Sequence, residues 1–307
     1  MLKLALHRTA GLVLTLLVII TVSFAIIRLA PGGPFDQEQS LSPGVRANLE
    51  RLYGLNRPLA VQYLHYLQAL ARADFGPSLR QRDFTVSELI GQGLPVSAAL
   101  GVCALALALL SGIPVGVVAA LRRSPRTDLA IAALAAFGTA LPAFVLGPLL
   151  ALVFGLHLRW LPVAGWEAGS PRYLVLPATT LALPVAAHLA RLTRASLLEA
   201  LRASFVRSAR ARGLGGARVL WRHALRPALL PVVSYLGPAA AFVVTGSLVV
   251  EAVFGLPGTG RYLVQGAIDR DYPLVMGMVI VYGVLTLILN LLADLAHGWL
   301  DPSARHA

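Results

Sequence analysis

The chain has 307 residues, 57% of them hydrophobic and only 13% charged, with a mean hydropathy of +0.73. An ordinary soluble domain is roughly 25% charged, so the composition excludes a single soluble core and points to a chain that crosses a bilayer several times. The formal charge of +12 is that of many nucleic-acid binders. Several apolar runs of spanning length argue against that class, and the Arg excess reads as membrane topology. Cys103, the one cysteine, excludes an intrachain disulfide and reads as a packing residue on a helix face.

Six candidate spans follow in chain order, at about Leu12–Leu29, Pro95–Leu121, Leu129–Phe154, Tyr173–Leu192, Leu229–Val250 and Leu274–Ala296. Each is near the ~20 residues that a helix needs to cross ~30 Å of hydrocarbon. The first sits behind Lys3 and Arg8 like a secretory signal, with "SFA" at Ser23–Ala25 as a weak cleavage candidate, but the apolar run continues past it and predicts a retained span. With the N-terminus inside, the internal segments hold Lys3, Arg8, Arg122, Arg123, Arg126, every Arg from Arg191 to Arg226, and Arg305. Asp128, Glu199, Asp294 and Asp301 are their only acids. The external segments are nearly balanced, so the positive-inside rule predicts that both termini are cytoplasmic.

The connections differ in kind. The external stretch Pro31–Leu94 contains helix-capable pieces and predicts a small helical subdomain, whereas Arg122–Asp128 is a tight internal turn. Trp160 and Trp166 lie in an external connection, where interfacial anchoring is the simplest role. Pro114, Pro142, Pro148, Pro177, Pro184, Pro231 and Pro238 lie in or beside spans and predict a kinked bundle, because each freed carbonyl needs protein or water as a partner.

Soluble-enzyme chemistry finds little support. No HExxH or CxxC is present, and the His residues are scattered, so no metal site or catalytic group is expected. "GLPGTGRY" at Gly255–Tyr262 has the skeleton of a phosphate-binding loop but carries Arg261 and Tyr262 where Lys and Ser/Thr do the chemistry. Glu251 lies close enough to a span end to be wet and locally paired, with a role in gating or solute passage as the alternative. Asp269, Arg270 and Asp271 form a charged "DRD" beyond it.

Arg191–Pro227 is the longest internal connection, mixing Arg with regularly spaced Leu, Val, Phe and Trp. That pattern predicts two short amphipathic helices at the membrane face, with Gly213, Gly215 and Gly216 breaking between them. Its charge suits anchoring to anionic lipid, and its interleaved apolar residues suit docking of a cytoplasmic partner.

"ARARGL" at Ala209–Leu214 followed by "RVLWRHALRPALLPVV" at Arg218–Val233 resembles the cytoplasmic EAA loop of permease subunits of binding-protein-dependent ABC importers, in the dipeptide, oligopeptide and nickel branch. "IIRLAPGGP" at Ile26–Pro34, "YGLNRPLAVQY" at Tyr53–Tyr63, "ARLTRASLLE" at Ala190–Glu199, "VVEAVFGLPGTGR" at Val249–Arg261, "DYPLVMG" at Asp271–Gly277 and "LDP" at Leu300–Pro302 resemble other segments of that family in the same order. The resemblance implies an all-α polytopic membrane protein of the type I ABC importer permease fold, with six transmembrane helices. It divides the chain into 1–94, the first transmembrane helix and long external region, and 95–307, a core of five transmembrane helices with a coupling loop at 193–228.

The resemblance also implies partners: a second homologous permease subunit, two ATPase subunits that bind ATP and magnesium, an external solute-binding protein and the lipid bilayer, but no nucleic acid. This chain itself would bind no cofactor and perform no catalysis. Ser208, Ala209, Arg210, Ala211, Arg212, Gly213 and Leu214 would form the ATPase-coupling contact, with Gly213 at the turn. Glu251, Phe254, Gly255, Pro257, Gly258 and Gly260 would form an external gate or docking region. The family's loop opens on an acidic residue where this chain has Arg207 and Ser208, and Pro227 stands where an Asn is expected. Peptide is the implied cargo. Nickel or another small solute is the alternative, and a non-transport membrane scaffold or signalling protein is the other class.

Overall fold

The computed structural model describes residues 2–29, 54, 56–81, 83–122 and 141–300, with the single positions 44, 133 and 138. The described residues are almost wholly α-helical. They include five helices long and apolar enough to cross a membrane: α1 (Leu2–Leu29), α3 (Val86–Arg122), α5 (Arg172–Arg202), α9 (Leu230–Phe254) and α11 (Tyr272–Leu300). Between them lie α2 (Leu59–Leu70), α4 (Ala143–Leu150), α6 (Ser204–Ala211), α7 (Gly216–Val219), α8 (Leu225–Ala228) and α10 (Thr259–Ile268). Two π-helical segments, Ala151–His157 and Leu220–Ala224, extend α4 and α7. An isolated antiparallel bridge between Pro77 and Thr85 is the one β feature among the described residues.

Several helices outrun the expected spans for identifiable reasons. α3 begins at Val86 rather than Pro95 because Thr85 and Glu88 form a reciprocal capping box: Thr85 N–H donates to Glu88 Oε2 at 2.8 Å, and Glu88 N–H to Thr85 Oγ1 at 3.3 Å. α5 continues past Leu192 to Arg202, taking ten residues from what reads as a connection. The expected continuous span Leu129–Phe154 is interrupted, because Pro142 adopts an extended conformation (ψ 146°) and caps a helix that starts only at Ala143. The earlier part of that span, the turn Arg122–Asp128, most of the external stretch from Pro31 to Tyr53, and the terminal Asp301 and Pro302 lie outside the described residues.

The chain forms two compact units. One contains the described residues of Met1–Leu2, Ala98–Leu256 and Leu285–Ala307; the other contains those of Lys3–Ser97 and Pro257–Val284. In the first, α5 packs on α9 and α4. α3 meets α5 through Gly112 and Gly116, where an added Cβ would come within 2.6 Å of the Ala186 and Ala190 carbonyl oxygens. This G-x-x-x-G spacing brings two backbones into direct contact, as small residues do where lipid supplies no hydrophobic drive between helices.

In the second unit α2 lies on α1. Phe24 meets the Tyr63 ring at 5.2 Å, and Thr21 Oγ1 and Tyr63 Oη share a 2.6 Å hydrogen bond. The start of α3 packs on α11 through Val86, Leu89, Leu274 and Met278, with Phe75 and Tyr262 around them.

Candidate functional site

The Arg-rich connection folds as the sequence pattern predicts, into a helix, a turn and a second helical stretch. α5 ends where Ala203 turns extended (ψ 152°), and α6 starts at the next residue. On α6, Val206 and Ala209 are fully buried, while Phe205, Arg207, Ser208, Arg210 and Ala211 are exposed. The seat beneath is a cluster of Leu197 and Leu201 from α5, Ala120 from α3, and Val219, Ala224 and Ala228 from the stretch after the turn. Side chains such as Val206 contribute roughly 1.5–3 kcal/mol each where the alternative is water. The short helix is therefore held by its seat, since eight residues are too few to hold a helix alone.

The turn is a Schellman cap. Gly213 N–H donates to the Arg210 carbonyl at 2.9 Å and Leu214 N–H to the Ala209 carbonyl at 3.3 Å. Gly213 has φ +78° and open space around its Cα, so the position requires backbone freedom and not small size. Leu214 packs back onto the cluster that holds Ala209, which is the apolar contact this cap usually carries. Of the seven predicted coupling residues, Ala209 is buried, Leu214 half-buried, and Ser208, Arg210, Ala211, Arg212 and Gly213 are exposed.

The exposed face is basic and aromatic. Phe205 is 45% and Trp221 68% exposed. Arg207, Arg210, Arg212, Arg218 and Arg222 are exposed on the same connection. Beside them a cleft of about 480 Å³ is lined by Ala120, Leu121, Leu201, Arg210, Gly216, Ala217 and Leu220. Exposed aromatics and Arg on a rigid seat are the residue types that anchor protein interfaces. Pro227 is half-buried between α7 and α9, within the short helix α8.

The second predicted region is divided between the units. In the first unit α9 runs to Phe254, so Glu251 sits one turn inside the helix and is fully buried, which corrects the expectation of a wet carboxylate at a span end. Gly255, at φ +66°, closes α9 with a second Schellman cap, in which Leu256 N–H donates to the Glu251 carbonyl at 2.9 Å. Phe254 is buried, and its carbonyl accepts from Gly165 N–H at 2.8 Å. In the second unit Pro257 is half-buried and Gly258 and Gly260 are buried at the start of α10. There Ser97 Oγ and Thr259 Oγ1 lie 2.9 Å apart, and Tyr282 Oη lies 3.1 Å from Thr259 Oγ1.

One arrangement escaped sequence reasoning. Asp271 is fully buried, and its Oδ2 accepts from the Ser78 hydroxyl, from Leu79 N–H at 3.1 Å and from Arg80 N–H at 3.3 Å. Its Oδ1 accepts from Leu274 N–H at 3.2 Å, so Asp271 also caps α11. Arg80 Nε donates to the Asp269 carbonyl at 2.9 Å. The available signal was Asp271 two residues before Pro273, an N-cap followed by Pro in the first helical turn. Among the described residues no His, Cys, Asp or Glu cluster is able to hold a metal ion.

Five long apolar helices, with a basic helix and turn seated on the end of one of them, define a polytopic membrane component. The family model described as binding-protein-dependent transport system inner membrane component matches residues 112–306, and the model of that component's N-terminal part matches residues 1–84. The chain belongs to this family and is a multi-pass protein of the inner membrane. It is 46% identical over 306 residues to the oligopeptide transport system permease protein OppB of Salmonella typhimurium, with all of both chains covered. It is 42% identical to the dipeptide transport system permease protein DppB of Bacillus subtilis, over 94% of this chain and 93% of that one. The oligopeptide permease AppB of Bacillus subtilis is 37% identical over 96% of this chain and 97% of its own.

Proposed function

We propose that the chain is a channel-forming permease subunit of an ATP-driven importer, passing peptides delivered by an external binding protein. The observation that carries this reading is end-to-end similarity to permeases named for oligopeptide and dipeptide transport. A second homologous permease completes the channel, and two ATPase subunits carry ATP and magnesium. This chain contributes no catalytic group. Six membrane crossings with both termini cytoplasmic fit the five long helices, the apolar helix Ala143–His157 and the Arg distribution. We keep the division into 1–94 and 95–307 as a reading of the chain, supported by separate family models for residues 1–84 and 112–306.

In this reading Ser208–Leu214 is the contact with the ATPase. Its support is the exposed face of α6, fixed from behind by Val206 and Ala209. Closure of the ATPase pair would displace α6 and, through Leu197 and Leu201, the end of α5. Glu251, Phe254, Gly255, Pro257, Gly258 and Gly260 would act at the external mouth mainly by fixing the ends of α9 and α10.

The test is reconstitution of the four membrane and ATPase chains in proteoliposomes with the binding protein, following uptake of labelled tri- to hexapeptides and of nickel. ATP-dependent peptide uptake is expected. Nickel uptake without peptide uptake would overturn the cargo. Oxidative cross-linking of a Ser208→Cys chain to cysteines in the ATPase groove checks the contact, and no cross-link in any nucleotide state would refute it.

A further inference from the structure

Within the unit formed by the described residues of Lys3–Ser97 and Pro257–Val284, a cavity of about 360 Å³ opens beside the last turn of α1. Nothing in the transport reading uses it. Its polar lining is cationic: Arg28 and Arg57 face one carboxylate, Asp74, whose Oδ1 already accepts from Gly76 N–H at 2.9 Å. His65 also lines it, with Nε2 3.2 Å from Arg57 Nη1.

Arg28 is half-buried and lies over the Phe24 and Tyr272 rings, at 5.5 and 5.6 Å from their centroids. No carboxylate among the described residues pairs with it. The rings stabilise the cation without neutralising its charge, and a guanidinium takes a phosphate or carboxylate in bidentate fashion.

A second observation is independent of the arginines. The Tyr66 hydroxyl oxygen is buried, lines the same cavity and has no hydrogen-bond partner among the described residues. A buried phenol normally finds a partner. Burial pushes its pKa up, so at neutral pH it is a donor and suits an anionic oxygen. Gln62 also lines the cavity, and the rest of the wall is largely apolar, with Phe24, Ile27 and Met276.

Position selects the ligand. α1 is a membrane-spanning helix whose apolar run ends at Leu29, so Arg28 lies at headgroup depth, where a long cation reaches out of the hydrocarbon. Ile26 and Leu29 are 63% and 75% exposed beside it, offering an apolar track for acyl chains. We propose that this cavity holds the phosphodiester headgroup of an anionic phospholipid, with Arg28 and Tyr66 as its donors and Arg57 adding charge. The inference requires only that α1 lies in a bilayer and is independent of which solute is carried.

The test uses the full-length chain purified with its transporter partners and titrated with phosphatidylglycerol or phosphatidylcholine, with retained lipid counted by native mass spectrometry. The wild type should retain phosphatidylglycerol in preference. Arg28→Gln should weaken that retention about tenfold, the scale of losing a charge-assisted bidentate contact. Tyr66→Phe should weaken it a few-fold without a change in the melting midpoint measured free of acidic lipid, which keeps the test valid if Arg28→Gln misfolds. Arg261→Gln, an exposed change on α10 away from the cavity, should leave it unchanged. Wild-type retention in both Arg28→Gln and Tyr66→Phe would overturn the site. If glycerol 1-phosphate or inorganic phosphate displaces the lipid at comparable concentration, the ligand is a free phosphate and the lipid assignment fails.

Discussion

Replacing Asp271 with Ala would remove an acceptor from a site with no exposure to solvent. The Ser78 hydroxyl, Leu79 N–H and Leu274 N–H lose this acceptor, and Arg80 N–H is left with Ser78 Oγ alone, at 3.3 Å. Loss of the cap on α11 costs ~1 kcal/mol. Each buried donor left unsatisfied adds ~1–3 kcal/mol before relaxation. Ser78 Oγ still accepts from Gln81 N–H at 2.9 Å, and water can enter the space vacated, so the sum settles at about 3–5 kcal/mol. Asp271→Asn keeps one acceptor oxygen but turns an amide N–H2 towards donors, and about 1.5–3 kcal/mol should be lost. The assay is denaturation of the full-length chain in detergent, paired with tryptic cleavage after Arg80, whose backbone is held by this carboxylate. An Asp271→Ala chain within about 0.5 kcal/mol of wild type, with unchanged cleavage at Arg80, would refute the role given to these hydrogen bonds.

Further predictions concern backbone positions. Gly213→Val should uncouple solute from ATP hydrolysis, because its φ of +78° costs a β-branched residue about 1–3 kcal/mol, whereas Gly213→Asn should retain most coupling. Peptide-stimulated ATPase activity of the two assembled variants decides it, and equal activities would remove the argument from conformation. Gly116→Leu should destabilise the chain by at least ~1–3 kcal/mol, since even a Cβ meets the Ala190 carbonyl at 2.6 Å; a preserved melting midpoint would mean that α3 and α5 separate at no cost. Thr85→Ala should cost ~0.5–2 kcal/mol by opening the capping box, read as faster amide exchange at Val86–Leu89. Phe205→Ser with Trp221→Ser should leave stability nearly unchanged and reduce ATPase co-purification, since both rings are exposed in the isolated chain.

Much of the architecture was legible because lipid imposes one rule on long segments. Spanning length located α1, α3, α5, α9 and α11, and missed mainly their ends. The ends depend on short signals that a hydropathy reading smooths over. Thr85 and Glu88 at capping-box spacing extend α3, and Pro142 delays α4. Two Gly-Leu pairs, Gly213-Leu214 and Gly255-Leu256, each mark a Schellman cap, although only the first was read as a turn. Helix α6 was recognisable because its Arg and apolar residues alternate at helical period. Asp271 was not, because its partners Ser78, Leu79 and Arg80 lie almost two hundred positions away, and nothing local records that separation. The Gly112 and Gly116 seam was equally silent, since its other half is plain backbone of α5.

α5 is one helix of 31 residues, or about 46 Å of unbroken backbone. One end lies under α6 and its middle is keyed to α3 with no side-chain layer between. A soft joint would absorb a push at Ala209 in rotamer changes. A backbone-to-backbone seam has no such slack, so under the proposed coupling a displacement entering at Leu197 and Leu201 would pivot α5 at Gly112 and Gly116, and bending would fall to Pro184 and Pro177 beyond the seam.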